Sequence, residues 1–267
     1  TFKAGGNKGT WNVDGEDRGS AAAAGLTAGD TSVLNGCSIN TKAGFGIIKW
    51  TQDSGGSSKS IPHGLTKAPN FVMMKHLNGG TSNWFCSHSG SYNYAKCWYM
   101  NRGEAIENSS DFGSVAPTST VIATNTTGVD GREVGMWYWH DVPGLQKFGH
   151  FRGNAKDPND TINNAHVYLG FKPALLILKK RNNYYSPFIW DQKRSQLTPP
   201  NNPRGTVLNP NDNGAEYNGS NYYVDFLADG FRIKSSHASC GADEVYLYMA
   251  WAQAPTINLF GAQTAGE

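Results

Sequence analysis

The clearest apolar patterns in this chain have the period of strands. Across 245–252, Val245, Leu247, Met249 and Trp251 alternate with Tyr246, Tyr248, Ala250 and Ala252, as expected of a strand with two distinct faces. Around Met73 and Leu176 the apolar runs are continuous but short (Phe71-Val72-Met73-Met74; Ala174-Leu175-Leu176-Ile177-Leu178), the pattern of strands buried on both sides. Asp229-Gly230, between Phe226-Leu227 and Phe231, predicts a hairpin whose turn residues take positive φ. Trp137, Trp139, Trp190 and Trp251 lie on predicted strands and are expected in the core, where aromatic rings contribute most area.

These stretches recur in order. Gly44-Phe45-Gly46-Ile47-Ile48-Lys49-Trp50 opens one copy and Lys147-Phe148-Gly149-His150-Phe151-Arg152-Gly153 the other. A polar loop follows each. Leu65, Pro69 and Lys75 then match Leu169, Pro173 and Lys179 at one constant offset, and each run continues through a polar turn into an aromatic strand at Trp84 or Pro187. Glu133 to Pro143 closes the first copy and Glu244 to Pro255 the second, so Glu133 and Glu244 are read as equivalent residues at a strand entrance. Chance does not repeat order, spacing and a proline at the same strand start. The reading is an all-β chain of two tandem antiparallel β-sandwich-like units, residues 44–146 and 147–267, related by an internal repeat.

Residues 1–43 differ, being turn-rich and thinly apolar. Ser20 is placed to cap one helical turn through Ala21–Ala24, which Gly25 ends. This lead-in is expected to be a connector partly packed on the first copy, with a disordered tail as the alternative. The chain starts at Thr1, which suggests processing or an origin in something longer.

Composition agrees with short strands and turns. There are 32 Gly, 12 Pro and 25 Asn, and charged residues make up only 16% against roughly 25% in average domains. Net charge is +2 and Lys179-Lys180-Arg181 is the densest basic spot, so no basic stripe for nucleic acid is present. No apolar stretch is long enough to span a bilayer as a helix. Cys37, Cys86, Cys97 and Cys240 match no zinc spacing and are expected as buried thiols.

Candidate chemistry is thin. The seven histidines form no metal-binding helix pattern, and no nucleophile elbow or phosphate loop occurs. His140-Asp141 are neighbours that point to opposite faces of a strand. Acids that could form a glycosidase pair include Glu104, Glu107, Asp111, Asp191, Asp225, Asp229, Asp243 and Glu244, without a partner assignable to any of them. Asp157-Pro158-Asn159-Asp160 lacks the calcium-loop spacing and reads as a turn. No metal, cofactor or catalytic residue is expected. Aromatic side chains in variable loops are the functional lead: Tyr92, Tyr94, Trp98 and Tyr99 in one insert, Tyr184 and Tyr185 in a turn, and Tyr222 and Tyr223, with Tyr217, in an Asn/Gly-rich loop. Such rings stack on sugars while nearby Asn and Ser bond the hydroxyls.

Further blocks complete the pattern: Ser20 to Gly29, His63-Gly64-Leu65 with Ala68-Pro69, and His140-Asp141-Val142-Pro143-Gly144-Leu145-Gln146-Lys147-Phe148-Gly149. After them come Gly170-Phe171-Lys172-Pro173-Ala174, Asp225 to Phe231, and Tyr248-Met249-Ala250-Trp251-Ala252. In this order they resemble a two-copy β-module near the C-terminal ends of tail-fibre and other virion proteins of tailed phages, often marine ones. The resemblance covers nearly the whole chain from about residue 18. It implies a place on the virion and no enzymatic activity, and brings no assigned binding residues with it.

The expected function is therefore that of a phage structural protein, a tail-fibre or appendage module involved in host attachment. Two alternatives stay open, a capsid-decorating or head-fibre protein and a glycan-degrading tailspike enzyme. Expected partners are other virion proteins, further copies of the chain in a trimer built through strand edges or aromatic surface, and host-surface glycan. Neither nucleic acid nor membrane is expected.

Overall fold

A computed structural model of the chain describes residues 9–53, 58–91, 94, 96–108, 112, 115–125, 130–154, 165–194, 202–235, 237, 238 and 240–254. The apolar runs fold as strands, and among the described residues there is no α-helix. Two compact units result, the first from Thr1–Tyr99 and Glu107–Asp141, the second from Met100–Ile106 and Val142–Glu267.

Unit 1 holds β1 (Trp11–Val13), β2 (Glu16–Asp17), β3 (Leu34–Asn40), β4 (Phe45–Thr51), β5 (Lys59–Pro62), β6 (Phe71–His76), β7 (Phe85–His88), β8 (Lys96–Tyr99), β9 (Glu107–Asn108), β10 (Val121–Thr124) and β11 (Glu133–Trp139). Unit 2 holds β12 (Gln146–Arg152), β13 (His166–Tyr168), β14 (Pro173–Lys180), β15 (Phe188–Asp191), β16 (Thr206–Val207), β17 (Tyr217–Asn218), β18 (Val224–Leu227), β19 (Gly230–Ile233) and β20 (Val245–Ala252).

The main sheet of unit 1 runs β2-β1-β3-β4-β11-β6-β7-β8-β9, with β10-β5 forming a second sheet. Unit 2 has β12-β20-β14-β15 and β13-β19-β18, plus the pair β16-β17. The order β4-β11-β6-β7 in one unit corresponds to β12-β20-β14-β15 in the other, all antiparallel. Likewise β5 pairs with β10 as β13 pairs with β19. Each core lies on one face of the main sheet. Ile48, Met74, Met136 and Tyr138 meet Ile61 and Ile122 of the small sheet, while Leu176, Leu178, Tyr248 and Ala250 meet Val167, Phe226 and Phe231.

Several expectations are corrected here. Residues 9–43 are not a connector beside the first copy. β3 pairs antiparallel with β4, β1 pairs parallel with β3, and Leu26 and Ile39 are buried in the unit 1 core. The little apolar surface of this stretch is concentrated at the few positions that face the core. Its Ser20 turn does form: the Ala23 amide donates to Ser20 Oγ at 3.1 Å, and Gly25 ends the turn at φ +75°. The unit boundary falls at 141/142 rather than 146/147, and Met100–Ile106, inside the first copy by sequence, belongs to unit 2.

The closing strands also shift against each other. Lys75 lies opposite Gly135, whereas Lys179 lies opposite Leu247. Gly135 and Leu247 are thus register equivalents, and Glu133 corresponds to Val245, not Glu244. Matching the two acids was one residue out, and a one-residue slip exchanges the faces of a sheet. The hairpin between β18 and β19 forms, but its turn is Ala228-Asp229 and Gly230 is already paired with Leu227. Glycine is required there because a Cβ would strike the Val167 carbonyl on β13.

Proline and glycine have clear tasks elsewhere. Pro69 stands just ahead of β6, and Pro173 is the first residue of β14, where the missing N–H costs the ladder least. Gly46 faces the Tyr138 ring and Gly149 the Tyr248 ring, each so closely that a methyl group would collide.

Candidate functional site

The insert of unit 1 proves structural. Trp98, on β8 opposite Cys86, is fully buried and stacked on Phe71 at 6.4 Å. Tyr94 is buried at φ +67°, and its hydroxyl donates to the Pro69 carbonyl at 2.6 Å. Burial pushes that phenol well above its ordinary pKa. Tyr99 is half-buried against the core and edge-on to Phe85 at 5.5 Å. Tyr92 lies outside the described residues. The expected glycan contacts at Tyr94, Trp98 and Tyr99 are therefore withdrawn, because Tyr94 and Trp98 are buried and Tyr99 packs against the core.

Unit 2 brings its loop aromatics together. Tyr185 meets His237 edge-on at 6.2 Å, His237 meets Tyr222 at 5.7 Å, and Tyr222 meets Tyr217 at 6.0 Å. The row rests on Phe188 of β15, 5.5 Å from Tyr222, and the Tyr222 carbonyl accepts from Trp190 Nε1 at 2.8 Å. Tyr217 is 39% exposed and Tyr184, beside the row in sequence, 70%. Tyr223 is half-buried next to Tyr222. Tyr217, expected with the Asn/Gly-rich loop, stands at the end of the row. His237 extends the predicted set, and no local signal marks it.

Polar side chains fix these rings. Tyr217 donates its hydroxyl to Asp212 Oδ2 at 2.8 Å, which raises the phenol's pKa, while the Gly214 amide and that hydroxyl lower the carboxylate's. Asn211 Nδ2 donates to Ser186 Oγ at 3.0 Å, joining two of the loops. Lys180 Nζ sits 4.9 Å from the Tyr185 centroid and 3.5 Å from Glu244, whose carboxylate also accepts from Asn183 at 3.0 Å. Hydroxyls, amides and carboxylates thus surround aromatic faces, as sugar recognition needs.

Several of the remaining candidate groups are tied up structurally. His63, fully buried, accepts the Leu65 amide on Nδ1 and donates from Nε2 to the Thr118 carbonyl, both at 3.1 Å. Burial lowers its pKa to about 4. His140 donates from Nδ1 to the Asp141 carbonyl at 2.8 Å, and burial lowers its pKa as well. Glu133 pairs with Lys49 at 2.7 Å, Asp191 with Arg194 at 2.7 Å, and Asp243 with Arg152. Glu104 pairs with Arg102 at 2.6 Å. Asp111 and Asp157–Asp160 lie outside the described residues. Among the described residues no three His, Cys, Asp or Glu side chains gather as a metal site, and no helix is long and apolar enough to cross a membrane. All four cysteines are buried, none in a disulfide.

Trp137 departs from the expected core role. Trp190, Trp139 and Trp251 are buried, but Trp137 is half-exposed, on the face of the main sheet turned away from the core, and meets Trp84 at 5.3 Å.

Fold and site together define a two-unit all-β protein that carries a tyrosine-rich loop surface on one unit. The chain belongs to the family described as "Domain of unknown function (DUF7483)", whose profile matches residues 5–255. No curated protein matches the chain, and no solved structure does.

Proposed function

We propose that the chain is a non-catalytic attachment module of a tailed-phage particle, and that it meets host-surface glycan through the tyrosine loops of unit 2. The observation that carries the reading is the row Tyr185–His237–Tyr222–Tyr217, with Tyr217 and neighbouring Tyr184 open to solvent. Rings fixed in advance by a rigid sheet lose little entropy on stacking against a sugar. Loops on a rigid scaffold are where binding residues concentrate. Single contacts would be weak, so copies presented together as a homo-oligomer, a trimer in this reading, would supply avidity.

The test is adsorption. Fluorescently tagged protein should decorate host cells, and Tyr184→Ala with Tyr217→Ala should remove most of that signal without lowering the melting temperature. Unchanged decoration rejects the tyrosine surface. Release of reducing ends from the host polysaccharide rejects the non-catalytic reading. Gold-labelled antibody on intact particles separates an appendage from a capsid-surface position, and sedimentation reads the copy number.

A further inference from the structure

The outward face of the unit 1 sheet carries a second surface, distinct from the tyrosine loops. Directly opposed residues on neighbouring strands share a face. Lys49 of β4 and Lys75 of β6 both stand opposite Gly135 of β11. Having no side chain, buried Gly135 lets neighbouring side chains settle between two lysines whose strands lie about 10 Å apart, two strand spacings. Trp137 and Leu77 cover it, with atoms 3.2 and 3.3 Å from where a Cβ of Gly135 would be. Leu77 is 46% exposed, and Trp84 stands beside Trp137 with Lys75 Nζ 5.5 Å from its ring centroid.

Unit 2 shows the same position filled. His150 and Lys179 flank Leu247 in the equivalent row, and Leu247 and Lys179 are fully buried. The Lys179 ammonium is enclosed by carbonyl oxygens of Gly103, Glu104 and Tyr185. In unit 1 Trp137 and Leu77 take that place, and Lys75 is half-buried and donates to the Ser82 carbonyl. Among the described residues neither Lys75 nor Arg132 has a carboxylate partner, and Arg132 lies across the adjoining turn at Gly79. Glu133 neutralises Lys49 alone. Three cations against one carboxylate favour an anionic occupant.

We propose that this face binds a carboxylate-bearing saccharide, with a sugar face on the Trp84–Trp137 pair and carboxylates on Lys75 and Lys49. Two cations held apart on one face suit charges spaced along a chain better than the concentrated charge of one phosphate. Glu133 is placed to accept sugar hydroxyls. Half-buried indole rings favour a saccharide over an acidic peptide, since each ring offers a flat apolar face.

The probe is tetragalacturonate titrated into the intact chain and followed by tryptophan fluorescence. Saturable binding is expected, with Kd raised at least tenfold in Trp84→Ala and in Lys49→Gln/Lys75→Gln, and weakened by salt. Tyr184→Ala should leave it unchanged, which separates this site from the tyrosine loops whatever becomes of them. Circular dichroism checks that each variant is folded. The proposal is overturned by no binding at millimolar probe, by equal binding of neutral maltotetraose, by affinity unchanged in the folded variants, or by preference for a phosphorylated sugar or an acidic peptide.

Discussion

Lys75 and Lys179 occupy the same register in two units of common strand order, yet they live in different surroundings. Lys75 is half-buried, with one carbonyl and the Trp84 ring for company. Lys179 is fully buried beneath Met100–Ile106, a segment that sequence order gives to the other copy. The difference lies in what each unit does with its outward sheet face. Unit 2 covers its lysine with borrowed backbone, while in unit 1 Trp137 and Leu77 close over Gly135 and Lys75 stays half-buried. Two units of common strand order can keep one set of hydrogen-bonded strands and change surfaces through a single sheet residue and one loop.

The largest test of this contrast removes the lysines. Lys179→Ala leaves one buried and two partly buried carbonyls without their cation and should cost about 3 kcal/mol, as losses of hydrogen bonds to buried charges do. Lys75→Ala should cost less than about 1 kcal/mol, in the range of partly exposed charges. Urea unfolding of both variants decides, and equal losses would break the comparison. Protease digestion should also show new cleavage within 100–106 only for the Lys179 variant.

Acid should separate the units next. Unit 1 buries His63, His88 and His140, whereas no described histidine of unit 2 is buried. His63 has a folded pKa of about 4, below its ordinary 6.5. Above pH 6.5 both folded and unfolded chains carry it neutral, and stability is complete. As pH falls through 6.5 the unfolded chain takes up a proton that the folded one refuses, because burial strips the imidazolium of solvent and Nδ1 is already accepting the Leu65 amide. The loss grows until the folded state titrates near pH 4 and amounts to roughly 3 kcal/mol. His140 shifts in the same direction and adds to it. Segment-resolved hydrogen exchange between pH 7 and 4, corrected for intrinsic rates, should show protection lost in unit 1 before unit 2. Similar losses in both units would remove histidine burial as the cause.

The next expectation concerns a feature that the units share. Gly46→Ala and Gly149→Ala each push a methyl group into a tyrosine ring opposite, and each should cost about 2 kcal/mol through overpacking. Register places the two glycine–tyrosine pairs two residues apart along the sheet, which keeps both on the core face. If only one substitution destabilises the chain, the device is not common to both units.

Strand type was legible because periodicity and the Leu, Pro and Lys spacing report local backbone and core facing directly. Register was not, since Glu133 and Glu244 look alike in sequence while facing differently in the sheets. The short apolar supply of residues 9–43 hid strands that borrow their hydrogen bonds from β4. Met100–Ile106 was illegible for a related reason: its attachment to Lys179 is made by its carbonyls, which every sequence possesses. The candidate site was half legible. Loop tyrosines in Asn/Gly-rich sequence marked Tyr184, Tyr185 and Tyr222, but the same aromatic density misled at Tyr94 and Trp98, because composition does not distinguish a ring on a loop from one beneath it.

The smallest expected effect divides those two groups of rings. Tyr94→Phe keeps the ring but removes the hydroxyl that donates to Pro69, leaving a buried carbonyl short of its donor, and should cost about 1 kcal/mol. Tyr184→Ala removes a whole ring that is 70% exposed, yet should change stability by less than about 0.5 kcal/mol, as exposed positions do. A change of one oxygen atom thus outweighs loss of an entire side chain, an inversion that area alone does not give. Differential scanning calorimetry of both variants at pH 7 measures it. If Tyr184→Ala proves the more costly, its contact with Gly103 is a structural clasp on the borrowed segment. The exposed ring would then belong to the architecture of unit 2 and not to its binding surface.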